Sequence, residues 1–210
     1  MALTITKTDY KFADLNDDGK EKAIKWFRDA IAHDDWYDSV YEYAATIGEI
    51  LGIDLKTRPV KLMNGSTRQD PNIFFSGFSS QGDGACFEGS YEYRKKSLHD
   101  IKAYAPKDKA LHEIAANLQA VQKRNFYGLY ANVEHSGHHY HSRCTRFGIR
   151  RDDAEMTADA EDDLTEYLRD FMNWIYRALE NEHDYQNSDD VIIETIEANE
   201  YEFDREGNIA

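Results

Sequence analysis

The sequence predicts an α+β fold in which an antiparallel sheet of about four strands packs with helices. Two observations support this prediction. Segments whose apolar residues recur at helical spacing alternate with short runs in which every second residue is apolar. The short runs come as two pairs, each joined by residues that include glycine, as is typical of antiparallel hairpins. With 210 residues, the chain is long enough to bury a hydrophobic core.

The amino-terminal part is predicted to contain a short strand, two helices and a loop. Residues 4–12 alternate well enough for a strand. A helix is expected to begin at Asn16 or Asp17, either of which can cap it, and residues 36–51 show a second helical pattern. Residues 56–72 contain two prolines and several turn formers, so we expect a loop around a short extended piece.

The two predicted hairpins follow in the middle of the chain. The first joins IFFSGF, residues 73–78, to CFEGSYEYR, residues 86–94. The second turns at Ser136-Gly137. Between the hairpins, residues 97–128 have a helical pattern that Pro106 interrupts.

The carboxyl-terminal part is predicted to be helical and acidic. A long helix is expected at about residues 160–182, and Ser188 is expected to cap a last helix. Residues 1–151 hold 20 acidic and 22 basic residues, whereas residues 152–210 hold 20 acidic and only three basic ones. We therefore predict an α+β core over 1–151 and an acidic helical lobe over 152–210, packed on the core as one domain.

The charge asymmetry bears on partners rather than on the fold. The acidic lobe argues against direct nucleic-acid binding by that face, and it permits attraction to a host or competitor protein with a basic surface. The aromatic residues that could anchor such a partner are Tyr167, Trp174, Tyr176 and Tyr185. The acidic residues that could steer it are Asp162, Asp163, Glu166 and Asp170. The alternative is a solvated acidic helical surface without a partner.

A glycine-rich stretch, FSGFSSQGDGACFEG, is the most distinctive part of the sequence. Its centre offers several backbone N–H groups and positions suited to positive φ, which can form a nest for an anion or a small ligand. The residues of this candidate ligand-binding loop are Ser79, Ser80, Gln81, Gly82, Asp83 and Gly84. The alternative is a tight turn whose glycines only permit close packing.

The same stretch contains a candidate nucleophile. Asp83-Gly84-Ala85-Cys86 resembles the D-G-x-C segment of ovarian-tumour-type cysteine proteases. The resemblance implies a hydrolase in which Cys86 is the nucleophile, His139 the base and Asp83 an auxiliary group. A nucleophilic cysteine needs an activating neighbour and often a helix N-terminus. The alternating pattern after Cys86 instead predicts the start of a strand.

Two patterns suggest metal binding, and we assign neither of them a metal. The histidine cluster comprises His135, His138, His139 and His141, with Cys144 beyond it. It lacks the spacing of a zinc motif, so exposed hairpin histidines are the preferred interpretation. Residues 14–19 match the first half of a calcium loop, but Lys25 stands where the bidentate acid is needed, which favours a helix-capping turn. No cofactor is expected.

Taken over residues 8–207, the sequence resembles small proteins encoded in phage and prophage genomes of proteobacteria, commonly labelled "antitoxin of toxin–antitoxin stability system". The most specific shared element is F-S-G-F-x-S-Q-G-D-G-A-C-F-E-G, at Phe75–Gly89. The resemblance implies a phage-associated accessory protein and assigns no catalytic residue.

Several absences shape the expected location. No apolar run approaches the ~20 residues that a transmembrane helix needs, so no membrane association is expected. The amino-terminal residues lack an apolar signal region, and the two cysteines are far apart, which favours the host cytoplasm. The leading hypothesis is a non-enzymatic protein that neutralises another protein, as an antitoxin or anti-defence inhibitor. The alternatives are the cysteine hydrolase and a nucleotide or small-ligand binder that uses residues 79–84.

Overall fold

A computed structural model describes residues 9–31, 35–152 and 154–210. It confirms the α+β fold, because helices and antiparallel strands both occur and the largest sheet has four strands. The helices are α1 (Asp17–Ile31), α2 (Asp38–Leu51), α3 (Ser97–Tyr104), α4 (Lys109–Arg124), α5 (Ala160–Gln186) and α6 (Asp189–Ala198). The strands are β1 (Tyr10–Lys11), β2 (Ile53–Leu55), β3 (Thr57–Lys61), β4 (Thr67–Pro71), β5 (Ile73–Phe75), β6 (Ala85–Phe87), β7 (Gly89–Glu92), β8 (Leu129–His135), β9 (Thr145–Arg151) and β10 (Glu202–Phe203).

The chain forms two compact units. Unit 1 comprises residues 1–37 and 181–210, and unit 2 comprises residues 38–180. The expected boundary at 151/152 falls inside unit 2, so the division into a core and an acidic lobe stays a prediction.

Unit 1 joins the two ends of the chain around an apolar cluster. Phe27 of α1, Ile192 and Ile196 of α6, and Phe203 of β10 are all buried in it. Asn16 accepts a hydrogen bond of 2.8 Å from the backbone N–H of Gly19, which confirms the predicted cap of α1. The calcium-like fragment is therefore a capping turn.

The predicted amino-terminal strand lies partly outside the described residues. Its described part, Tyr10–Lys11, pairs antiparallel with Glu202–Phe203. A strand of two residues gains little from its own hydrogen bonds, so this pairing depends on the apolar cluster beside it.

The main sheet of unit 2 has the order β2-β7-β8-β9 and is antiparallel throughout. The predicted second hairpin is confirmed, with Leu129 opposite Arg151 and His135 opposite Thr145. Its turn was predicted wrongly. The strands are joined by the loop of residues 136–144, because Ser136 donates its N–H to the carbonyl of Cys144 and so closes the ladder there.

The first predicted hairpin is confirmed only for β5 and β6, in which Phe75 pairs with Ala85. The second predicted strand is interrupted at Glu88, and β7 joins the main sheet instead. Gly89 makes this change of sheet possible, because a Cβ atom there would lie 2.1 Å from the carbonyl oxygen of Asp54 on β2.

Residues 56–72 are not the loop that we expected. They form the β3–β4 hairpin, which turns at Asn64-Gly65, with Gly65 at φ +83°. The guanidinium of Arg68 donates to both carboxylate oxygens of Asp38 at 2.5 and 2.9 Å and also to Asp70. This ion-pair network ties the hairpin to the start of α2.

The helical predictions for unit 2 are confirmed. α3 ends and α4 begins on either side of Pro106, and the carboxylate of Asp108 caps α4 by accepting the N–H of Leu111 at 3.0 Å. Apolar residues at helical spacing on α5 are fully buried, and one of them, Phe171, packs against Phe87 of β6 with ring centroids 5.8 Å apart. These residues are Leu164, Leu168, Phe171, Ile175 and Leu179.

Candidate functional site

The candidate site is built by two loops of unit 2. Loop A, residues 76–84, connects β5 and β6 and carries the predicted ligand-binding residues. Loop B, residues 136–144, connects β8 and β9 and carries most of the histidine cluster. Each loop is closed at its base by a backbone hydrogen bond, from Ser76 to Gly84 at 3.1 Å and from Ser136 to Cys144 at 2.8 Å.

A side chain of loop A accepts hydrogen bonds from two backbone N–H groups of the same loop. The carboxylate of Asp83 accepts the N–H groups of Ser80 at 2.7 Å and Ser79 at 3.1 Å. These hydrogen bonds lower the pKa of Asp83, and the one from Ser80 has the largest effect. The nearby His139 also lowers this pKa. The predicted nest therefore exists, but the loop's own carboxylate occupies it, which disfavours binding of a phosphate or another anion there.

Cys86 lies in a strand as predicted, although as the second residue of β6 rather than its first, and its side chain is fully buried. Burial raises the pKa of the Cys86 thiol to about 12, and the neighbouring Cys144 and Glu88 add to the effect. A thiol in this environment stays protonated, whereas a nucleophilic cysteine must be a thiolate. This geometry disfavours the cysteine-hydrolase hypothesis.

The two loops pack directly against each other. A Cβ atom on Gly84 would lie 2.5 Å from the Cβ of His141, so the backbone of loop A approaches loop B more closely than a side chain permits. Gly82, at φ +98°, lies beside the ring of His139. The distinctive glycines of loop A are thus explained by backbone conformation and by close packing.

Loop B places a thiol beside an imidazole. The Sγ of Cys144 lies 3.5 Å from Nε2 of His141, and both cysteines are free thiols. The rings of His139 and His141 stack with centroids 6.2 Å apart, so these two histidines lie side by side on loop B. Across residues 9–31, 35–152 and 154–210, no group of three or more His, Cys, Asp and Glu side chains is arranged to hold a metal ion.

Aromatic residues connect loop A with α5. The hydroxyl of Tyr176 donates to the carbonyl of Gly77 at 3.2 Å, and its ring contacts Phe78 with centroids 5.5 Å apart. Tyr176 is therefore not a free anchor but part of the support of loop A. Desolvation in this contact raises the pKa of Tyr176.

The predicted steering acids of α5 divide into two kinds. Asp163 forms an ion pair with Arg124, and Glu166 pairs with Arg169 at 2.5 Å. Asp162 and Asp170 are exposed and form no ion pair within the part of the chain that the structure describes. The latter two are the better candidates for attracting a partner.

The predicted aromatic anchors also differ from one another. Trp174 donates its indole N–H to Asp108 at 2.8 Å and stacks on Phe171, so it stabilises unit 2. Tyr167 is half-buried, whereas Tyr185 is 59% exposed. Among the four predicted anchors, only Tyr185 has the exposure that an interface anchor needs.

The acidic charge is concentrated in unit 1, which has 18 acidic and seven basic residues in its sequence, against 22 and 18 in the larger unit 2. Among the described residues from 181 onward, Glu202 pairs with Lys11 and Asp189 with Arg28. The exposed carboxylates of this segment that form no ion pair with another described residue are Asp190, Glu194, Glu197, Glu200 and Glu206. Sequence reasoning located the acidity but missed that α6 carries much of it.

The contact between loops A and B was also missed. Their residues are far apart in the sequence, and no spacing rule connects Gly84 with His141. The only available signal was that both loops are rich in residues with a conformational or chemical role. Their juxtaposition follows from the contact between β6 and β8, which belong to two different sheets.

The fold and these loops define an α+β protein whose most distinctive feature is the packing of loop A against loop B. Loop A is closed by hydrogen bonds to its own Asp83 carboxylate, and loop B carries the histidines. The chain belongs to the DUF8835 family, described as a domain of unknown function, whose model matches residues 36–189. No curated protein and no solved structure matches the chain. Within the described residues, no helix has both the length and the apolarity that crossing a membrane requires.

Proposed function

We propose that this chain is a non-enzymatic phage or prophage accessory protein that binds and neutralises a host or competitor protein, as an antitoxin or anti-defence inhibitor. The observation that carries the proposal is the set of exposed carboxylates in unit 1 that form no ion pair with another described residue. Unpaired surface acids attract a basic partner over a distance of about a Debye length, roughly 8 Å at physiological salt. Such charges speed encounter and select the partner.

An aromatic anchor accompanies these acids in unit 1. Tyr185 lies near the end of α5 and is exposed, and Asp184 and Asp190 flank it in sequence. Interfaces commonly combine a central aromatic residue with a charged rim. A basic surface that ordinarily holds nucleic acid offers the complementary charge, and so the acidic surface would act as a nucleic-acid mimic.

The phage association rests on the resemblance of Phe75–Gly89 to the prophage proteins. The geometry supports a binding role over the two alternatives, because the thiol of Cys86 is buried and the nest of loop A is filled by Asp83. Direct support would come from capturing a partner protein and from measuring how charge variants change its binding.

The experiment is affinity capture with the tagged full chain from a proteobacterial lysate, followed by measurement of the affinity for each purified partner. One variant removes three negative charges from unit 1 (Asp190→Asn, Glu194→Gln, Glu197→Gln). A second variant removes two negative charges from α5 (Asp162→Asn, Asp170→Asn). The matched control changes exposed acids elsewhere (Glu42→Gln, Asp54→Asn).

We expect a basic partner whose association rate falls at least about tenfold in the unit 1 variant, with a weaker dependence on salt, and stays unchanged in the control. Full affinity and an unchanged salt dependence in both acidic variants would contradict the proposal.

A further inference from the structure

The turn after α4 holds two aromatic residues in a backbone conformation that bulky side chains rarely adopt. Phe126 has φ +55° and Tyr127 has φ +62°, both in the left-handed region. Phe126 is 80% exposed and Tyr127 is 42% exposed. A strained pair of exposed aromatic rings gains nothing from burial, and strain of this kind is typical of functional sites.

Buried amide side chains hold this turn in place. Gln122 is fully buried, donates to the carbonyl of Leu129 at 2.7 Å and accepts its N–H at 3.1 Å. Asn125 is also fully buried and exchanges hydrogen bonds with Thr157 at 3.0 and 3.2 Å. The surroundings therefore fix the conformation of the turn and direct the ring of Phe126 outward.

Cations and aromatic rings alternate around the turn. The guanidinium of Arg151 lies 5.0 Å from the ring centroid of Phe126. The ring of Tyr127 lies 4.5 Å from that of Tyr93, measured between centroids. We call the following residues the aromatic–arginine surface: Tyr93, Phe126, Tyr127 and Arg151.

The charges of this surface are available to an anionic ligand. Lys123 is exposed, and neither it nor Arg151 forms an ion pair with a carboxylate among the described residues. Arg151 instead donates to the backbone carbonyl of Glu155 at 2.7 Å. Two acids lie nearby: Asp152 accepts the hydroxyl of Tyr130 at 3.4 Å, and Glu92 lies opposite Tyr130 in the sheet.

We propose that the aromatic–arginine surface binds single-stranded nucleic acid, with a base stacked on Phe126 and phosphates contacted by Lys123 and Arg151. Exposed aromatic rings beside unpaired cations are the usual elements of such sites, and stacking accepts any base. An acidic protein segment would use the cations but gains little from planar rings. The expectation against nucleic-acid binding concerned residues 152–210, whereas this surface belongs to residues 93–151. The inference is independent of the proposed function.

The test is fluorescence anisotropy with the full chain and labelled oligothymidylate and oligouridylate of about 12 nucleotides, titrated at low salt and then at increasing KCl. Phe126→Ala is expected to weaken binding about tenfold or more, since it removes one stacked base. Lys123→Glu is expected to reduce the slope of log K against log salt by about 0.7 or more.

The matched controls are Tyr104→Ala, which removes another exposed aromatic side chain of unit 2, and Lys61→Glu, which reverses a charge on the β3–β4 hairpin. Neither should change the affinity. Phe126→Asn separates binding from folding, because asparagine tolerates positive φ. It should lose binding while the midpoint of urea unfolding rises or stays constant.

Three results would overturn the inference. They are no binding of either oligonucleotide at low salt, equal affinity of wild type and Phe126→Ala, and equally tight binding of labelled polyglutamate. The last would identify an acidic protein segment as the better ligand. A preference for oligouridylate over oligothymidylate, or the reverse, would support the inference and identify the ligand as RNA or DNA.

Discussion

Gly84 and His141 are in direct contact, and a Cβ atom at position 84 would lie 2.5 Å from the Cβ of His141. This contact fixes how loop A and loop B pack. It also explains, without invoking a ligand, why the glycine-rich stretch has a glycine at position 84.

Gly84→Ala is therefore expected to destabilise the fold by about 1–3 kcal/mol, because either the loop or His141 must move to make room for a methyl group. The control is Gly77→Ala in the same loop, where the nearest atom to an added Cβ is an Asp83 carboxylate oxygen at 3.4 Å. Urea unfolding of both variants measures the difference. Equal stability of the two variants would show that the loops separate at no cost.

Asp83 should make stability depend on pH in the acid range. Its pKa is lower in the folded state than the ~3.9 of an unfolded aspartate, so its contribution is present above about pH 4 and is lost as the pH falls through the folded-state value. The destabilisation caused by Asp83→Asn should therefore be largest near neutral pH and shrink in acid. Gln81→Ala in the same loop should show no such trend in urea unfolding measured across pH. A pH-independent effect of Asp83→Asn would mean that its carboxylate does not cap the loop.

Cys86 should resist alkylation in the folded protein. Its thiol is buried and has a pKa of about 12, whereas Cys144 is partly exposed. Iodoacetamide at neutral pH should label Cys144 first, and in Cys144→Ser the label should enter Cys86 only after urea is added, as peptide mapping by mass spectrometry would show. Labelling of native Cys86 at the rate seen in urea would instead return the cysteine-hydrolase hypothesis to consideration.

Gln122 should contribute strongly to stability. Gln122→Ala leaves the N–H and the carbonyl of Leu129 buried without partners, and the expected loss is about 2–4 kcal/mol in the free energy of unfolding. Gln119→Ala, one turn earlier on α4 and only partly buried, should change stability by less than about 0.5 kcal/mol. A small effect at Gln122 would mean that water replaces its hydrogen bonds.

Local patterns predicted those elements whose determinants lie within a few residues. Pro106 separates α3 from α4 because it lacks an N–H, and Asn16 caps α1 because its side chain reaches the first turn. The β3–β4 hairpin was missed although Asn64-Gly65 is a strong turn signal. The two prolines suggested a loop, but an edge hairpin accommodates Pro59 and Pro71.

The candidate site was predictable only in part. The glycine-rich loop was recognised as a turn between strands, and Cys86 was placed in the correct strand, one residue from its start. The aromatic–arginine surface could not be predicted, because the exposure of Phe126 depends on the buried amides of Gln122 and Asn125.

By itself the sequence determined the α+β class, most helix boundaries and the β8–β9 pairing, since these follow from periodicity, caps and turn residues within short stretches of chain. Only the tertiary structure decided that Asp83 fills its own loop, that Gly84 packs on His141 and that residues 181–210 join the amino-terminal helix. The last two of these depend on groups distant in the sequence, whose meeting is set by the burial of the whole core rather than by any local preference.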